Sequence, residues 1–209
     1  MKISKALVLF GLALSAGGLA KAATINWRVT GTLTNVSQSG IPLPVSISAG
    51  QQYVLDFSFD PQVANSSLQP AVGQYFGAVQ SGATLSTATA ALNFVFGGDI
   101  TVINDERIGP EFRDGLGIGL STALPANFTG ILWWGSVAFE RQVPGPARIA
   151  PFDSTALPVD IPDITPFYFR QLQLRYAQYL NGSLVGSEVV FGSVDSLQAV
   201  PIPAAAWLL

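Results

Sequence analysis

The residues best placed to do chemistry lie in one short run, "NDERIGPEFRDG", residues 104–115. It carries Asp105, Glu106, Glu111 and Asp114 around a Gly-Pro turn. Hard carboxylate oxygens grouped beside a turn are the ligand type that calcium takes. The spacing departs from the twelve-residue EF-hand loop, and Arg107 and Arg113 sit among the acids. The first expectation is therefore a solvated loop with its acids partly salt-bridged to these arginines, a surface arrangement that contributes little stability, and a calcium site is the alternative. Apart from this possible calcium ion, nothing in the sequence calls for a cofactor.

A second candidate is the pair Trp133–Trp134. Indole rings offer a flat apolar face with a polarised edge, the chemistry that stacks on a sugar ring. In a strand, adjacent side chains point to opposite faces. One indole is therefore expected in the core and the other outward or under a loop. Core packing of both, one against a second layer, is the favoured expectation, and an exposed indole serving as a sugar platform is the alternative.

Composition removes several reaction classes. The chain has no Cys and no His. Zinc–thiolate sites, cysteine nucleophiles and Ser-His-Asp triads need residues that are absent. Thirteen acids would supply the two carboxylates of a glycosidase, but sequence spacing does not set two of them face to face. "GLGIG" at 115–119 lacks the spacing of a dinucleotide cradle. The expectation is a protein without catalytic activity.

The elements around these residues read as β. In "TINWRVTGTL" Ile25, Trp27, Val29 and Leu33 alternate with polar residues, and "GQQYVLDFSFD" does the same with Tyr53, Leu55, Phe57 and Phe59. Period two marks half-buried strands. Further strands are expected in "QYFGAV", "ALNFVF", "DITVIN", "GLGIGLS", "GILWWGSVAFE", "FYFRQLQLRY", "EVVF" and "SVDSLQAV". Gly and Pro clusters punctuate them. The predicted fold is all-β: a single antiparallel β-sandwich or jelly-roll domain over residues 23–199, with a single closed barrel as the second choice. The Pro-rich stretch 140–166 is expected to cross between sheets or over the end of the sandwich.

The two ends read as addresses. Residues 1–22 pair a basic start, Lys2 and Lys5, with the apolar run Ala6–Leu14 and the small residues Ala20 and Ala22. This is the pattern of a secretory signal peptide cleaved after Ala22 by signal peptidase. All three lysines precede residue 22, so seven arginines against 13 acids leave the exported body at −6. Such a body is a poor partner for nucleic acid, whose phosphates need a cationic patch.

Residues 200–209, "VPIPAAAWLL", resemble the opening of the PEP-CTERM sorting signal of Gram-negative bacteria, in its Val-Pro-Leu-Pro-Ala variant. The matching positions are Val200, Pro201, Ile202, Pro203 and Ala204, followed by an apolar start of a helix. Looser likenesses run through "ITVIND", "FDSTALPVDIPDI" and "GSVDSLQAVP". The resemblance implies an exosortase substrate with transient membrane association through its C-terminal segment. It implies export to the periplasm, the outer surface or the extracellular matrix, in association with exopolysaccharide and biofilm. The sequence departs from the family in the brevity of the apolar run and in the missing basic cluster, so the signal reads as incomplete. A carbohydrate-binding module or adhesin, with or without calcium, is the alternative function; a polysaccharide-active enzyme stands behind both.

Overall fold

Alternation of side chains decides which face of each strand turns inward. In β2 (Gln52–Phe59) Tyr53, Leu55, Phe57 and Phe59 are all buried, while Gln52, Val54, Asp56 and Ser58 face the other way. β1 (Ile25–Val36) buries Trp27, Val29 and Leu33 in the same manner. The two strands pair antiparallel with Trp27 opposite Phe57 and Val29 opposite Leu55, so their apolar rows meet in one layer. Trp27 packs edge-on to Phe59 with centroids 4.8 Å apart, a favoured aromatic geometry.

The computed structural model describes residues 24–37, 41–122, 124–144 and 151–201. The remaining strands are β3 (Val72–Val79), β4 (Ala83–Thr87), β5 (Ala91–Phe94), β6 (Gly98–Ile108), β7 (Glu111–Leu120), β8 (Gly130–Pro144), β9 (Phe169–Leu180) and β10 (Ser183–Ala199). Every pairing is antiparallel. The order is β1-β10-β9-β8-β7-β6-β3-β2-β4-β5, and β1 also pairs with β2. The result is all-β and sandwich-like, as the alternation predicts, built from one sheet that returns to its own first strand. Within that class the connectivity from β6 to β10 is a meander. The join between β2 and β3 rests on one residue pair, Phe59 with Val79. Beyond it, β4 and β5 form a hairpin attached to β2.

Two predicted segments, "EVVF" and all but the final Val200 of "SVDSLQAV", are parts of the single 17-residue strand β10. β4, "ATLST", is a strand without a clear alternation in the sequence. Only Ala83 and Leu85 of β4 turn into the core, too few alternations to stand out.

The Pro-rich connection has a packing role. Within its described part, Phe152, Leu157 and Ile164 join the core, and Phe167 follows just before β9. Phe167 packs between Phe139 (6.2 Å) and Phe152 (5.8 Å). Tyr75 Oη donates to the Thr155 carbonyl at 2.7 Å and ties the segment to β3.

Candidate functional site

The first and last strands of the described residues lie side by side. β10 runs antiparallel beside the start of β1, with Ala199 opposite Trp27. One more bond follows, from the Val200 N–H to the Asn26 carbonyl at 2.8 Å. Pro201 has no N–H and cannot extend the ladder. The expected sorting motif therefore begins at Val200, the last of the described residues bonded to β1. The chain enters the domain on the neighbouring strand. Ala20, Ala22, Ile202, Pro203 and Ala204, which complete the predicted processing positions, lie outside the described residues.

The acidic run folds into the β6–β7 hairpin, and its acids do not converge on one point. Glu106 stands opposite Arg113 and accepts its Nε at 2.9 Å and its Nη2 at 2.5 Å. Glu111 accepts the side-chain amide of Gln142 on β8. Asp105 has φ of 59° at an irregularity in the β6–β7 register, and its N–H donates to Asp114 Oδ1 at 2.9 Å. Asp114 itself is fully buried and receives Arg141 Nη2 at 3.3 Å on its other oxygen. Among the described residues no group of three or more acids is placed to hold a metal ion. The hairpin thus holds Glu106 and Asp114 in ion pairs and Glu111 on an amide. Loss of solvent pushes the Asp114 carboxyl above its ordinary range, and Arg141 pulls it back.

The tryptophans separate as alternation requires. Trp133 is in the core against Tyr176, centroids 5.1 Å apart. Trp134 faces the other side of the sheet. There Leu132, Ala177 and Tyr179 form a second, smaller apolar cluster with Phe96, Leu124, Phe128 and Trp134. The β7–β8 connection is fastened nearby. Ser121 Oγ donates to the Phe96 carbonyl at 3.2 Å, and Thr122 Oγ1 donates to Asp99 Oδ2 at 2.9 Å. Arg175, opposite Trp134 in the register, lies over the indole with its guanidinium carbon 5.5 Å from the ring centre. One face of the outward indole is therefore taken by a cation. Trp134→Ala is expected to cost about 2 kcal/mol, from lost packing and the lost cation–π contact. Arg175→Ala should cost well under half as much; urea melts of the two variants check the ratio.

The outward polar rows of β1, β2 and β4 carry no motif in the sequence. Thr30, Val54 and Ser86 align across these three strands. Their sequence separation hides the juxtaposition, and only the strand register brings them together.

No protein-family model, no curated protein and no solved structure matches this chain.

Proposed function

We propose that the chain is an exported, non-catalytic surface or matrix domain of a Gram-negative bacterium, trimmed at its N-terminus by signal peptidase and at its C-terminus by an exosortase, and retained in the exopolysaccharide layer. The observation that carries this reading is that β10 ends at Ala199, immediately before the Val-Pro-Ile-Pro-Ala motif. Among the described residues the last backbone bond to β1 is made by Val200, the motif's first residue. A membrane protease needs an unpaired, extended peptide, and prolines at 201 and 203 supply no donor with which the sheet could capture it. Entry and exit on adjacent strands also suit a domain that is led and held from one corner. The chemistry favours a non-catalytic role: His and Cys are missing, and Glu106, Glu111 and Asp114 are engaged with Arg113, Gln142 and Arg141.

The test is mass spectrometry of the product made from the natural gene in its own host. The expected product lacks residues 1–22, begins at Ala23 and has a C-terminus trimmed near Val200–Ala204. Recovery of the protein from the cytosol with Met1 attached would overturn the proposal.

A further inference from the structure

The outward face of β10, β1, β2 and β4 holds a concavity of about 660 Å³, inside the ~300–1,000 Å³ range of small-ligand sites. We infer that this cleft binds a neutral, hydroxyl-rich saccharide segment through Gln52, Ser86 and Asp195. The setting rests on the export reading above, since a matrix polymer is met only outside the cell.

The polar groups suit that ligand. Gln52 presents an amide, Ser86 a hydroxyl and Asp195 an exposed carboxylate, and all three line the cleft. Among the described residues none of these side chains is engaged in a hydrogen bond. A carboxylate accepts from sugar hydroxyls, an amide both donates and accepts, and a serine hydroxyl does either. Val54 and Ala88 add apolar surface for the C–H face of a ring. Thr30 lies in the same row, with its hydroxyl shared with Ser196 at 2.7 Å.

The rim is already braced. Gln51 accepts the Ser48 N–H at 3.1 Å and donates to Thr89 Oγ1 at 3.0 Å, and Thr89 donates to the Ser46 carbonyl at 2.6 Å. Fixing these loops in advance lowers the ordering cost of binding. The lining includes Asp195 and no Arg or Lys. An anionic uronate would meet a like charge there with no cation in the lining to offset it, so the ligand is neutral. The cleft is also separate from Trp134, whose indole lies on the β8–β9 part of the sheet.

The test uses the purified, isotope-labelled protein and two sets of probes: neutral glucan, mannan and galactan oligomers, and an oligogalacturonate of similar length. At least one neutral oligomer is expected to shift the amides of Thr30, Gln52, Ser86 and Thr87, with the galacturonate at least tenfold weaker. Ser86→Leu removes the hydroxyl and puts a branched, non-aromatic side chain into the cleft from an outward position, and should weaken binding at least tenfold with the melting temperature unchanged. Asp195→Asn, which keeps the shape, should weaken the neutral probe and narrow the gap to the galacturonate. The inference fails if no neutral oligomer binds at millimolar concentration, if the galacturonate binds equally well, or if the shifts map to another face. Such a failure leaves the export reading standing, because that is decided by the trimmed ends of the secreted product.

Discussion

Gly31→Ala is expected to lower the unfolding free energy by about 3 kcal/mol, the upper part of the range for overpacking a close-fitted interior. Gly31 lies in β1 where it meets β10, at the irregularity between Thr30 and Gly31. A Cβ there would sit 1.9 Å from the Ser193 carbonyl oxygen and 2.7 Å from Tyr53 Oη. The first neighbour is backbone and cannot swing away. Relief requires β10 to move from β1, and that pairing closes the sheet. Tyr53 makes the approach tighter, because its hydroxyl reaches past β1 to donate to the Ser193 carbonyl at 2.8 Å. Tyr53→Phe removes only this bond and should cost about 1 kcal/mol. In the double variant most of the Gly31→Ala penalty should persist, because the carbonyl clash remains. Urea unfolding of the three variants gives the comparison; an alanine tolerated within ~0.5 kcal/mol, the range of harmless substitutions, would disprove the close approach.

The same tyrosine gives an alkaline signature. Burial, with the Asp195 charge second, pushes its phenol well above the ordinary value. In the unfolded chain the phenol ionises near pH 10. Above that pH the folded state retains a proton that the unfolded state has lost, so stability falls as pH rises. Tyr53→Phe should remove this part of the alkaline slope.

How much of this was legible in the sequence varies with how local the cause is. Tyr53, Leu55, Phe57 and Phe59 announce a strand and its inward face because the alternation is contained in eight residues. Trp133 and Trp134 announce opposite faces for the same reason. β4 is not legible, since five small and mostly polar residues carry two inward positions. The acidic run shows the limit most clearly. Spacing along the chain places Glu106 and Asp114 close together, as a metal loop would need. Arg113 lies within the run, so its pair with Glu106 is legible there, but register sets Asp114 against Arg141, 27 residues away, and that pairing is not. Register depends on the turn at Gly109, where φ is 62°, and on the irregularity between Ile103 and Glu106. Neither can be read from charge spacing. The cleft residues Gln52, Ser86 and Asp195 are more dispersed still, and no local pattern joins them.

The Asp114–Arg141 pair carries the other large expected effect. Asp114 has no solvent exposure, and Arg141 is 13% exposed. Taking one partner from a buried ion pair leaves a charge without its counter-charge, which costs about 3–5 kcal/mol. Arg141→Leu should therefore destabilise the domain by about 4 kcal/mol near neutral pH, with the Asp105 N–H still donating to Asp114. The pH dependence identifies the cause. Burial already raises the Asp114 carboxyl, and losing Arg141 removes the main influence that lowers it. A carboxyl raised in the folded state binds its proton more tightly there than in the unfolded chain. Stability then rises as pH falls through the folded value and levels off below the ordinary aspartate value. Arg141→Leu should regain much of its loss in mild acid, whereas a variant harmed only by poor packing would not. The double variant Asp114→Leu/Arg141→Leu should be more stable than Arg141→Leu alone at neutral pH, because it buries no unbalanced charge. Equal losses at all pH values, or a double variant less stable than the single one, would show that the pair acts through shape alone.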